Sequence, residues 1–208
     1  MQTGRSAMRS LILQLGVTAL LLGMTPASRA ADEPRALEIV QGKCFICHGA
    51  DGESSSPVFP RLAGQHAAYV ARQLADFKSG RRKSDTMRPM VEDLSADDFV
   101  ALGRYFESRK PVAHLLDDVH LAQVGQLVFN RINPESKTPS CASCHGVNAH
   151  GTDTLPRLAG QHALYIENQL RKFTSRERTN DNALMHAVAS KLTELEIKAV
   201  SAYVSGLN

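Results

Sequence analysis

All four cysteines of this 208-residue chain lie in two copies of one pentapeptide, Cys44-Phe45-Ile46-Cys47-His48 and Cys141-Ala142-Ser143-Cys144-His145, set 97 residues apart. C-x-x-C-H is the attachment signature of c-type haem: two thiols bond the porphyrin edge and the adjacent histidine ligates iron. A four-cysteine zinc centre, a redox dithiol or a disulfide would also use C-x-x-C. Structural zinc pairs usually lie closer together, and none of these alternatives explains a histidine directly after both pairs. Two motifs therefore predict two covalently bound haem c groups, each an apolar body around which a small chain can pack.

The rest of the chain repeats with the motifs. Pro60-Arg61-Leu62-Ala63-Gly64-Gln65-His66-Ala67 returns as Pro156-Arg157-Leu158-Ala159-Gly160-Gln161-His162-Ala163, and Tyr69, Gln73, Leu74 and Phe77 return as Tyr165, Gln169, Leu170 and Phe173. The offset is 97 residues at the cysteines, 96 in this block and 98 near the C-terminal ends, so small insertions separate fixed landmarks. A period this long describes two domains and not a solenoid of short repeats. The expected units are residues 31–112 and 113–208. Units of this size rarely build a sufficient core alone, and a cofactor supplies what they lack.

Residues 1–30 read as a secretory signal peptide. Arg5 and Arg9 precede an apolar run from Leu11 to Met24, and Pro26-Ala27-Ser28-Arg29-Ala30 offers small residues for a cut before Ala31. The run is shorter than the roughly 20 residues a spanning helix needs. A soluble, exported protein is expected, in a bacterial periplasm. The leader carries Arg5, Arg9 and Arg29 and no acid, so 24 basic and 21 acidic residues become 21 of each in the mature chain. That balance excludes a nucleic-acid binder, which would gather a basic excess on one face.

Helical periodicity runs throughout, and no strand pair with a period of two appears. A helix over Glu33 to Lys43 carries Ala36, Leu37, Ile39 and Val40, and one over Val119 to Arg131 carries Leu121, Val124, Leu127 and Val128. Each precedes a haem motif. Gln65 to Lys78 and Gln161 to Thr174 read as amphipathic helices, the first stopped by Gly80. The last helix of each unit opens with a capping box, Ser95 with Asp98 and Thr193 with Glu196, before Phe99, Leu102 and Phe106 or Ile197, Val200 and Val204. Lys110 to Asp117 is the expected join, a short connector packed against both units because Pro111 stops the helix and Val112, Ala113, Leu115 and Leu116 are apolar.

The sixth ligand of each iron separates a carrier from a catalyst. Methionine there favours the ferrous state, whereas an open position admits peroxide or another small molecule. Outside the leader the methionines are Met87, Met90 and Met185. Met87 precedes capping Ser95 by eight residues and Met185 precedes capping Thr193 by eight, while Met90 corresponds to Val188. Met87 and Met185 are the matched pair; Met90 stays a second candidate for the first iron, and gap-filling core methionines are the structural alternative. His66 and His162 match each other at the start of predicted helices, which suits surface or supporting hydrogen bonds. His114, His120, His150 and His186 have no counterparts. A ligating histidine normally gives its other ring hydrogen to an acceptor. Pro60 and Pro156, twelve and eleven residues past His48 and His145, are candidates for that role or simply turn prolines before a helix.

The order C-x-x-C-H, Pro-x-Leu, distal methionine and aromatic C-terminal helix resembles class I cytochrome c, present twice, and the Pro-Arg-Leu-Ala-Gly-Gln and Ala-Ser-Lys-Leu-Thr segments resemble the dihaem cytochrome c4 family. That resemblance implies an all-α fold of two tandem class I cytochrome c domains, each wrapped around one haem and related by a pseudo-twofold axis. It implies axial ligands His48 and Met87 on one iron and His145 and Met185 on the other, with Tyr105 and Tyr203 at the aromatic position of the last helix. The shortness of the segment from Phe77 to Met87 and the polar stretch Asn133 to Ser140 depart from the pattern.

The expected function is a periplasmic single-electron carrier between respiratory partners, with a quinol-cytochrome c reductase or a dehydrogenase as donor and a terminal oxidase as acceptor. It has no bond chemistry of its own, and peripheral membrane association fits the family. A dihaem electron-accepting subunit of a flavoprotein or quinoprotein dehydrogenase would look the same in sequence. A dihaem peroxidase would need one exchangeable iron, whereas each unit here offers a methionine. Lys78, Arg81, Arg82 and Lys83, and Arg171, Lys172, Arg176 and Arg178, form two basic clusters that could steer an acidic partner or be solvated faces.

Overall fold

The computed structural model describes residues 27–208, and every regular element among them is helical. Residues 1–26, which hold most of the expected signal peptide, lie outside the described residues. The first half runs α1 (Ala27–Ile39), α2 (Phe45–His48), α3 (Ala67–Ser79), α4 (Met87–Val91) and α5 (Ala96–Glu107). The second repeats the order with α6 (Val119–Asn130), α7 (Ala142–His145), α8 (Ala163–Thr174), α9 (Leu184–Ala189) and α10 (Glu194–Ser205). The all-α expectation holds.

Both capping boxes form. Ser95 accepts from the Asp98 backbone N–H at 3.1 Å while the Asp98 carboxylate accepts from Ser95 N–H at 2.8 Å. Thr193 and Glu196 do the same at 3.2 and 2.8 Å. These reciprocal bonds satisfy N–H groups that a helix start leaves unpaired. The helices they open bury Phe99, Leu102 and Phe106, and Ile197, Val200 and Val204, the faces expected of them. α3 ends at Gly80, whose φ of 77° is the left-handed cap that glycine adopts freely.

The expected helices before the haem motifs both form, with differences in detail. α1 stops at Ile39 and continues as a π-helical turn, Val40–Cys44, so one helical run leads straight into α2. In the second half the polar loop 131–140 intervenes, closed by Asn133, whose side-chain oxygen accepts from Glu135 and Ser136 N–H at 3.0 and 3.1 Å. α6 buries only part of the expected stripe: Leu121 and Val128 are half-buried, Val128 against the C-terminal core. Ala122, Gly125 and Phe129 face inward, while Val124 and Leu127 are exposed. A Cβ on Gly125 would run into the backbone carbonyl of Ala199, so α6 and α10 cross with their backbones in contact. Gly103 of α5 meets the Ala67 carbonyl of α3 in the same way.

Two apolar clusters result. Ala36, Val40, Val70, Phe99, Leu102 and Phe106 centre one; Phe129, Ile166, Val200 and Val204 centre the other. Full burial of each large side chain contributes about 1.5–3 kcal/mol. The expected connector is pinned at chosen points: Val112 N–H donates to Glu53 Oε1 at 2.9 Å, His114 Nε2 lies 3.1 Å from Glu53 Oε2, and Leu116 packs on Gly206. Leu115, by contrast, points into solvent at 96% exposure.

Candidate haem sites

A helical turn places residues three and four apart on one face, and α2 and α7 apply that to the motifs. Cys44, Cys47 and His48 share one side of a single turn, as do Cys141, Cys144 and His145. The turn ends at Gly49 and Gly146, with φ of 74° and 79°. The chain then folds back under itself. Ser54 N–H reaches the His48 carbonyl and Gly151 N–H the His145 carbonyl, both at 2.8 Å. Leu62 and Ala63 N–H close on Gly52, as Leu158 and Ala159 close on Ala149.

This loop sets the histidines. Pro60 accepts from His48 Nδ1 at 2.9 Å and Pro156 from His145 Nδ1 at 3.1 Å. Both rings are buried, 6% and 7% exposed. Burial pushes each imidazole below its usual value, an effect the proline carbonyl partly opposes, so the neutral form with hydrogen on Nδ1 is held. Nε2 is left as the ligating atom. The four thiols are unbridged, and burial raises Cys44 and Cys141 to about 11. No three His, Cys, Asp or Glu side chains among the described residues are arranged to hold a metal ion, so the cysteine pairs do not meet in one four-cysteine centre. An oriented neutral imidazole beside two unbridged thiols is the donor set covalent haem requires.

Met87 opens α4, where Ser84 Oγ accepts its N–H at 3.2 Å, and it borders the same apolar cluster as Cys44 and Leu62. Met90 lies on the same helix at 40% exposure. Met185 sits in α9, its N–H donated to Asp181 at 2.7 Å. Neighbouring His186 turns its Nδ1 to the Phe173 carbonyl at 2.9 Å.

The repeated block also does something its sequence did not reveal: it joins the two halves. Gln65 Nε2 donates to the Arg157 carbonyl and Gln161 Nε2 to the Arg61 carbonyl, each at 2.9 Å. His66 and His162 reach across to the carbonyls of His150 and Ser54 at 2.7 and 2.8 Å. Arg82 donates to Tyr165 and Gln169, and Arg178 to Tyr69 and Gln73. These two arginines, expected within basic surface clusters, are buried instead, stacked over Phe77 and Phe173 at 4.6 and 4.5 Å. Three of their neighbours are paired with acids locally, Arg81 with Asp76, Arg171 with Glu194 and Lys172 with Glu177. The repetition of long polar side chains in both copies was the available signal.

A cytochrome c family model matches residues 122–208. Over 92% of this chain and 98% of the relative, the sequence is 37% identical to cytochrome c4 of Azotobacter vinelandii. The chain belongs to the cytochrome c4 family. The crystal structure of reduced recombinant cytochrome c4 from Pseudomonas stutzeri superposes with a TM-score of 0.80 at 36% identity, covering 85% of this chain and 98% of that one. A thiosulfate dehydrogenase electron acceptor of Thiomonas intermedia is 34% identical over 93% of this chain and 89% of its own length. As a cytochrome c4 the chain is an electron-transfer protein carrying covalently bound haem c and working with redox protein partners.

Proposed function

We propose that this cytochrome c4 carries single electrons in the periplasm through two haems, one ligated by His48 and Met87 and tethered by Cys44 and Cys47, the other by His145 and Met185 with Cys141 and Cys144. The observation that carries this reading is the matched pair of buried histidines, each with Nδ1 on a proline carbonyl and Nε2 free. Haem, when bound, supplies a one-electron iron couple. The residues present would hold it: the thiols would tether it, the imidazole is kept in one tautomer, and Met87 or Met185, at the same distance from the capping box in both units, would supply the second protein ligand and so disfavour exchangeable ones. Export rests on the leader of residues 1–30, and a terminal oxidase is the acceptor proposed. Fractionation of the producing cell, with the mature N-terminus read by mass spectrometry, tests export.

Replacing Met87 or Met185 with alanine should turn one haem high-spin or re-ligate it while the other keeps its low-spin spectrum and methionine-to-iron charge-transfer band. Unchanged spectra in either variant would defeat the ligand assignment in that unit. A second reading, the electron-accepting subunit of a dehydrogenase, is favoured by the likeness to the Thiomonas intermedia acceptor. Stable copurification with a flavoprotein or quinoprotein would decide for it. A free monomer that reduces an oxidase would decide for the carrier.

A further inference from the structure

The peptide group joining Pro60 to Arg61 is engaged at both ends. Its carbonyl accepts from His48 Nδ1 at 2.9 Å, and its N–H, on Arg61, donates to Oε1 of Gln161 in the other unit at 2.9 Å. Gln161 is held there from two sides, by its own Nε2 donating to the Arg61 carbonyl and by His162 N–H at 3.0 Å from its Oε1. The mirror arrangement is complete. The Pro156 carbonyl accepts from His145 Nδ1 at 3.1 Å, and Arg157 N–H donates to Gln65 Oε1 at 2.9 Å. Both glutamines are 6% exposed.

Hydrogen bonds in series polarise one another, more so away from water. An acceptor on the peptide N–H moves electron density onto the carbonyl oxygen of the same amide. That oxygen then pulls harder on the imidazole Nδ1–H, which raises the basicity of Nε2. A more electron-rich ligand favours the ferric state and lowers the reduction potential. We propose that each unit tunes the other's iron: Gln161 acts through the Pro60–Arg61 peptide on the N-terminal haem, and Gln65 acts through the Pro156–Arg157 peptide on the C-terminal haem. The inference rests on His48 and His145 being the iron ligands. Redox potential and docking of the units are thereby linked, since separating them removes the acceptor from both peptides.

The test is a redox titration of the holoprotein bearing Gln161→Leu, Gln65→Leu or, as a control, Tyr69→Phe. The control removes one bond across the seam and touches neither proline peptide. The haems are distinguished by NMR, with the His48 ring resonances assigned through their contact with Phe59. Gln161→Leu should raise the potential of the N-terminal haem more than that of its own, with an upfield move of the His48 Nδ1–H resonance, and Gln65→Leu should do the converse. Shifts confined to the mutated unit, equal in both haems, or matched by the control would overturn the proposal while leaving the ligand assignment standing. Wild-type spectra without histidine-ligated low-spin haem would instead overturn the assignment. Should a leucine variant unseat the units, a through-hydrogen-bond coupling between Arg61 nitrogen and the Gln161 side-chain carbonyl is sought in the wild type; its absence also overturns the proposal.

Discussion

His48 and His145 owe their orientation to carbonyls twelve and eleven residues further along the chain, and that spacing was readable because proline marked it twice. Other single residues took on roles that spacing could not show. Asp98 was expected as half of a capping box, and it also accepts from Arg35 Nε at 2.8 Å, tying α1 to α5. That guanidinium, with desolvation opposing it and Ser95 assisting, holds the carboxylate down at about 2. A folded-state value below the ordinary one of about 4 means that the charge stabilises the fold at neutral pH, and the benefit is lost as pH falls from about 4 toward about 2. Arg35 is half exposed, so solvent screening keeps the contribution small. Asp98→Asn should therefore lower stability modestly at pH 7 and flatten the acid limb of a denaturation profile between those values. A variant with the wild-type acid limb would show that the ion pair contributes nothing.

Among the elements, capping boxes and a glycine stop were legible because they are local chemistry, complete within four residues. Burial faces were less so. Along α6 periodicity picked out Leu121, Val124, Leu127 and Val128, yet the first and last are only half-buried, Val124 and Leu127 are exposed, and Ala122, Gly125 and Phe129 are the buried ones. The close crossing of α10 selects small residues there, and hydrophobicity alone does not register a requirement for smallness. Gly125→Val should clash with the Ala199 carbonyl and cost about 1–3 kcal/mol as an overpacked contact. Thermal unfolding of the holoprotein should show its transition moved to lower temperature; an unchanged melting temperature would show that the crossing tolerates the added bulk. Helix starts shifted for a related reason. α3 and α8 begin at Ala67 and Ala163, two residues later than periodicity suggested, because His66 and His162 keep extended backbone with ψ of 129° and 127° while their rings bridge the seam.

For the whole molecule the seam decides most. Arg82 and Arg178 are buried guanidiniums whose partners are mainly neutral, a glutamine of their own unit and a tyrosine and glutamine of the other. Removing Arg178 leaves Gln73 and Gln169 with Arg82 as donor but takes the donor from the Tyr69 hydroxyl, at about 1–3 kcal/mol. Arg178→Met should accordingly split a single cooperative melt into two, seen by calorimetry of the holoprotein; an unaltered single transition would show that the units do not depend on this lattice. The seam is not perfectly reciprocal. Arg81 pairs with Asp76 where the second unit pairs Glu177 with Lys172, the charges exchanged, and Asn180 reaches across, donating to Asp76 at 2.7 Å. The chain by itself determined haem attachment, the tandem repeat and the helical elements, since each is written in residues close together or copied at a fixed offset. Only tertiary structure decided that Gln65, Gln161, His66, His162, Arg82 and Arg178 face the opposite unit. An identical block in two copies reads the same whether it turns toward its own haem or toward its twin, and only packing the copies together shows which atoms are left to meet.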